Sequence, residues 1–230
     1  MRASLRNASK LPAVAVLCLL GLSCSNIATV EINVSTIIGP INLDVGQVVQ
    51  TALNNLVDQG AIPSTDTSEW PEGTTIEFDD NNPLSIVSDP KLVDLAGAEE
   101  GGPDFKKYRN NIRSMVIKKL LIKIRENTLN YDTGPLTILA GEEGSTADDL
   151  VEIASMPDGI EKGYTTPDSY DQIPLNEHQK KVIGTFIDLD KFLVGLKAVW
   201  TGTLQKDSEL PDGVLSFDVR IEITVMANPL

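Results

Sequence analysis

Cysteine is nearly missing from this chain. Cys18 and Cys24 are the only two, and none occurs among the 206 residues that follow. The body after residue 24 has no disulfide available, so a packed core must hold it, and about 200 residues are enough to build one as a single domain. Histidine occurs once, as His178 in "LNEHQKK", a polar setting typical of a surface residue. With so few soft ligands, zinc, haem and iron–sulfur sites are excluded, and no metal or cofactor is expected. Aromatic residues make up only 5% of the chain, with two tryptophans, Trp70 and Trp200, too few for a broad sugar-stacking platform. Trp200 reads as a strand residue packed in the core. No Gly-x-Ser-x-Gly elbow, phosphate-binding loop or dinucleotide glycine fingerprint occurs.

Long apolar runs are also lacking. The longest, Leu11 to Leu22, is interrupted by Pro12 and Gly21. It falls short of the ~20 apolar residues that span a bilayer. Arg2, Arg6 and Lys10 precede it without any acid, and small residues follow it. A cationic start, a short apolar stretch and a small-residue end are the three parts of an export signal. Residues 1–23 are therefore expected to be a signal peptide.

The end of that stretch, Leu20-Gly21-Leu22-Ser23-Cys24, resembles the lipobox of bacterial lipoprotein precursors. The small Ser23 before the cysteine fits the pattern, while Gly21 stands where that family usually carries leucine. The resemblance covers only the first 25 or so residues. It implies that Cys24 is acylated and becomes the first residue of the mature protein, with the lipid as its membrane partner. It also implies export and a place at the bacterial outer membrane or cell surface. Cys18 would be discarded with the signal.

Positive charge is scarce: 19 Lys and Arg face 33 Asp and Glu, for a net charge of −14. Cleavage before Cys24 would remove three cations and no acids and take the charge to −17. So acidic a body repels nucleic acid and anionic membrane surfaces at long range, and no nucleic-acid partner is expected.

The body reads as mainly β. In "ATVEINVS", Val30, Ile32 and Val34 alternate with polar residues, and the alternation fails at Thr36, before adjacent Ile37 and Ile38. That pattern predicts a half-buried strand over 29–35. The next stretch, "LDVGQVVQTALNNLVDQG", carries apolar residues at 45, 48, 49, 52, 53, 56 and 57, with Asp44 to cap it and Gly60 to end it. This predicts a core-facing amphipathic helix near the N-terminus. Residues 61–105 read as loops around a strand near 74–79, with "AEEGGPD" (98–104) as a flexible break. Further strands are expected in "SMVIKKLLIKIRE", "PLTILA", "DLVEIAS", "KVIGTFI" and "LKAVWTGTL". The final strand is the cleanest: Leu215, Phe217, Val219, Ile221, Ile223 and Val225 alternate with polar residues. The loop "QKDSELPDG" before it predicts a hairpin with the preceding strand. The expected architecture is a single antiparallel two-sheet β-sandwich over 24–230, anchored through Cys24.

Three stretches carry possible chemistry. Asp132-Thr133-Gly134 resembles the catalytic turn of aspartic proteases, but Pro135 follows where that family has a small residue, and no second copy exists in the chain. A plain turn between strands requires the same residues. Asp79–Pro83, "DDNNP", and Asp188–Asp190, "DLD", place oxygen ligands close together without the spacing of a calcium-binding EF-hand loop. The third stretch is basic: Lys106, Lys107, Arg109, Arg113, Lys118, Lys119, Lys123 and Arg125 all fall within 20 residues. Strict alternation places Lys119, Lys123 and Arg125 on one side of a strand and Lys118 on the other. Cations split in this way favour internal counter-charge over a binding patch. No catalytic residue is assigned. The expectation is a non-catalytic, membrane-anchored envelope or cell-surface lipoprotein with a structural, adhesive or partner-binding role. The alternative is an exported carboxylate-dependent hydrolase, since 33 acids allow many pairs of the kind glycosidases use.

Overall fold

A computed structural model describes residues 29–166, 168–186 and 190–230. The expected signal peptide and Cys24 lie outside the described residues. Among the described residues strand accounts for 45% and helix for 20%, so the fold is mainly β, and the strand pairs given below are antiparallel.

Eleven strands form three sheets among the described residues. In chain order they are β1 (Val30–Asp44), β2 (Thr75–Phe78), β3 (Leu84–Val87), β4 (Lys91–Asp94), β5 (Ile112–Asn127), β6 (Leu136–Glu142), β7 (Val151–Met156), β8 (Asp171–Ile173), β9 (Lys191–Trp200), β10 (Gly202–Gln205) and β11 (Val214–Ala227). The first sheet has the order β1-β11-β5-β8; the second is the pair β10-β2; the third has the order β3-β9-β6-β7, with β4 also on β9.

Three α-helices accompany them: α1 (Val45–Asp58), α2 (Gly102–Tyr108) and α3 (Glu177–Val182). Where the sequence suggests one helix near the N-terminus, α1 follows a 15-residue strand and has two shorter companions. Its start is as expected: Asp44 Oδ1 accepts the Gln47 N–H at 3.0 Å. Val45, Val49 and Leu53 are its buried face.

β1 is longer than its alternation suggests. Ile32, Val34 and Ile38 point inward at even positions; Ile41 and Leu43 do so at odd ones. The parity changes because the register with β11 slips between Ile38 and Ile41. A bulge of this kind adds one residue to one strand and reverses which face every later side chain takes. Ile37, the first of the adjacent isoleucines, is left 54% exposed.

β9 is paired along one edge by β6, while β3 and β4 share its other edge end to end. Between them Ser88 completes the ladder: its N–H donates to the Leu196 carbonyl and its Oγ accepts the Leu196 N–H, both at 2.9 Å. β3 and β4 occupy a stretch expected to be loop. They are four-residue pieces whose ordering comes from that partner edge.

Three further expectations are corrected. "KVIGTFI" is not a strand over its described residues: Lys181 and Val182 end α3, and Ile183–Phe186 form a 3₁₀ turn, while Ile187 lies outside the described residues. The helix is started by a capping box, with Asn176 Oδ1 accepting the Gln179 N–H at 2.8 Å and Gln179 Oε1 accepting the Asn176 N–H at 3.0 Å. "AEEGGPD" is not a break, because Glu100 bridges to Ser35 and Gly102 begins α2. The hairpin before β11 does not form either. Both edges of β11 are occupied by the long strands β1 and β5, while β10 pairs with β2.

The buried residues form one apolar cluster drawn from all three sheets, with Trp70, Phe105, Phe192 and Phe217 as its largest fully buried members. Trp70 is anchored by its indole N–H, which donates to the Ser64 carbonyl at 2.8 Å.

Candidate functional site

A dense arrangement of charge lies on the outer face of the first sheet, and the irregularities of β5 produce it. Met115 and Ile117 point inward, then Leu120, Ile122 and Ile124, so the inward parity changes between 117 and 120. The register with β11 explains the change: Ile117 faces Ile223 and Lys119 faces Glu222, which leaves Lys118 opposite nothing. The same happens twice more. Ile112 faces Ala227 while Ser114 faces Met226, skipping Arg113; Ile124 faces Phe217 while Glu126 faces Ser216, skipping Arg125. Each of the three extra residues is a cation. A bulged residue is left out of the ladder, and all three are exposed here, which suits a charged side chain inside an otherwise aliphatic strand.

The expected split of the basic cluster is therefore corrected. Lys118, exposed, and Lys119, half-buried, follow one another on the outer side. Several cations are partnered there by acids of β11. Lys119 Nζ lies 3.4 Å from Glu222, and Arg125 Nε lies 2.6 Å from Asp218. Arg220 reaches Glu222 at 3.6 Å and Glu100 at 3.8 Å, and donates from Nε to Ser35 Oγ at 3.1 Å. Off the sheet, Arg109 pairs with Asp190 at 3.0 Å. Among the described residues, Lys106, Lys107, Arg113, Lys118 and Lys123 have no carboxylate within 4.0 Å.

Asp218 is the anomaly of this face. It is 2% exposed, and its Oδ1 has no hydrogen-bond partner among the described residues. Tyr170 sits close enough to feel it: burial chiefly, and then the Asp218 charge, push the Tyr170 phenol upward.

The other candidates are absorbed by local structure. Asp132 Oδ1 accepts the Lys162 N–H at 2.7 Å, Thr133 is buried and accepts the Ile160 N–H at 2.7 Å, and the Gly134 N–H donates to the Val199 carbonyl at 2.9 Å. All three residues fasten one connection to its neighbours. In "DDNNP", Asp79 Oδ1 accepts the N–H groups of Asn81 and Asn82 at 2.9 and 2.8 Å, and these bonds hold its carboxyl below the usual range. In "DLD", Asp188 and Leu189 lie outside the described residues. His178 is exposed on α3. Trp200 is half-buried at the end of β9, tilted against Phe78 at 5.5 Å and edge-on to Tyr131 at 6.4 Å.

Several hollows mark the surface of the described residues. One of about 410 Å³ opens beside the first turn of α1 and is bordered by Gln50, Asn130, Glu209 and Asp212. Its acids are engaged: Asn130 donates to Glu209 at 3.1 Å, and Asp212 Oδ1 accepts the Gly213 N–H at 2.7 Å. Gly46 belongs to this arrangement, since a β-carbon there would collide with Asp212 Oδ1. A hollow of about 280 Å³ lies where β5, β8 and α3 meet, bordered by Lys118, Lys119, Gln172 and Lys180 over Ile173–Leu175.

No family model matches this chain, and no curated protein matches it. Three solved viral structures are similar to it at low scores. That of the infectious bursal disease virus Gt strain is 11% identical, covers 87% of this chain and 32% of its own, and has a TM-score of 0.25; this chain thus spans about a third of that one. Desmodium yellow mottle tymovirus is 12% identical over 100% of this chain and 94% of its own, at 0.30. Black queen cell virus is 12% identical over 99% and 81%, at 0.20. Scores this low carry no argument about fold or role.

Proposed function

We propose that this chain is an exported lipoprotein, acylated at Cys24, whose β domain serves a non-catalytic structural, adhesive or partner-binding role at a bacterial outer membrane or cell surface. The observation that carries the reading is a spacing. Cys24 ends a cationic-then-apolar leader and stands six residues before Val30, where β1 begins. Six extended residues reach about 20 Å at most, so the domain would rest against the bilayer with the β1 start, Ala227 and Ile112 nearest to it.

The sheets are proposed to stack as a two-layer sandwich, with β1-β11-β5-β8 facing the β9 sheet and β2-β10 extending one edge. Inward residues of both large sheets belong to one apolar cluster, which supports this stacking. Among the described residues no helix is long and apolar enough to cross a membrane; the reading assigns attachment to the lipid. Two acyl chains give stable anchoring where one is marginal.

Membrane fractionation tests it. The wild-type chain should stay with membranes through a high-salt wash and enter the detergent phase, and Cys24→Ala should be released. Equal partitioning of both would overturn the reading.

A further inference from the structure

We propose that the hollow between β5, β8 and α3 is a binding site for a compact anion, a phosphate or sulfate group carried on a small molecule. Its lining sets it apart. Four other hollows of the described residues each carry two carboxylates: Glu209 and Asp212, Glu99 and Glu100, Glu100 and Glu222 (where Lys118 also reaches), and Glu72 and Asp207. This one carries three lysines, an amide and no acid, on a chain in which acids outnumber cations by 33 to 19.

The backbone creates this convergence. In a regular strand Lys118 and Lys119 would point to opposite faces. The bulge at Lys118 turns both outward, where Lys180 of α3 meets them. Two of the three ammonium groups are steadied from the flanks, Lys119 by Glu222 at 3.4 Å and Lys180 by Glu177 at 2.8 Å. Lys118 has no carboxylate within 4.0 Å among the described residues, so its charge remains free for a ligand. Across the hollow Gln172, opposite Leu121 in the β5–β8 ladder, adds an amide donor. Ile173, Pro174 and Leu175 give the site an apolar floor, suited to the carbon skeleton of a phosphate or sulfate ester.

Charge balance selects a small ligand over a polymer. At physiological salt, exposed charges are screened beyond about 8 Å. A compact anion seated among the lysines meets at close range the two acids already paired with Lys119 and Lys180, and is shielded from those farther off. A polyanion would extend past that range and meet the acidic body.

The test is a titration of the full chain with inorganic phosphate at pH 7 and constant ionic strength, following lysine side-chain resonances by NMR. Lys118, Lys119 and Lys180 should shift together and saturate, with chloride producing no such response. Lys118→Met should weaken binding roughly tenfold, as loss of one charge-assisted hydrogen bond implies, with the amide spectrum otherwise preserved. Lys162→Met, away from the hollow, should leave the affinity unchanged. Shifts that are linear and alike at all lysines, or an unaltered affinity in Lys118→Met and Lys119→Met, would overturn the site. Retention on heparin without any response to phosphate would overturn it in favour of a polyanion surface.

Discussion

Arg125 and Asp218 form an ion pair at 2.6 Å although they do not face each other in the ladder. Lys123 stands opposite Asp218, and Arg125 is the residue that the bulge leaves over. The pair is lopsided, with the Asp218 side chain 3% exposed and that of Arg125 54%. Removing the arginine would strand a buried carboxylate whose other oxygen already has no partner. Arg125→Ala is therefore expected to cost about 3 kcal/mol in urea unfolding, as for breaking a buried pair from one side. Lys119→Ala, which releases the more exposed Glu222, should cost less than ~1 kcal/mol. Equal losses would contradict the role given to Asp218.

The Glu100–Ser35 bridge leads to a second expectation. Gly101 follows it with φ +78°, and a β-carbon there would fall on the Asn33 backbone carbonyl. Neither backbone can yield without moving β1 or α2. Gly101→Ala should lower stability by more than the ~1–2 kcal/mol that left-handed backbone costs an alanine. Gly73→Ala, at φ +85° with open space around it, should show that conformational cost alone. The difference in denaturation midpoint between the two variants measures the clash.

Tyr131 supplies a test by pH. Burial pushes its phenol up to about 12, above the ~10 of an unfolded chain. Between these values the folded state holds a proton that the unfolded state has lost. Stability contributed by the neutral phenol is therefore intact below pH 10 and declines as pH rises toward 12. Tyr131→Phe should unfold with a shallower loss over that interval. At pH 7 it should be near neutral, because the buried hydroxyl has no hydrogen-bond partner to lose among the described residues. A marked loss at pH 7 would reveal a partner for that hydroxyl.

The absence of cysteine after Cys24 makes one simple prediction for the body of the chain. Its far-ultraviolet circular dichroism should be dominated by β signal, and its melting should be unchanged by reductant. A shift in melting with reductant would show that Cys24 has escaped acylation and entered a disulfide.

Periodicity made the regular elements legible. The Val45–Asp58 stripe with its Asp44 cap, the long alternation of β11, and the strands β6 and β7 all stand where their patterns place them. What alternation cannot report is a change of parity. At Ile38–Ile41, Lys118 and Arg125 the inward face switches because a partner strand skips a residue, and that partner is remote in sequence. The outer-face assembly of Lys118, Lys119 and Lys180 was hidden for this reason. The irregular aliphatic spacing in "VIKKLLIKI", with two cations side by side, is the trace that a bulge leaves. By contrast α3 was legible but overlooked: Asn176 and Gln179 form an N-x-x-Q capping box ahead of an apparently strand-like run. The short strands β3 and β4 carry too little pattern of their own, since the edge of β9 organises them.

The central claim, attachment through Cys24, is tested most directly by metabolic labelling with radioactive palmitate in a bacterial host. The wild-type chain should incorporate label and Cys24→Ala should not, while Cys18→Ala should label like the wild type. Equal incorporation into wild type and Cys24→Ala, or none into either, would contradict the account.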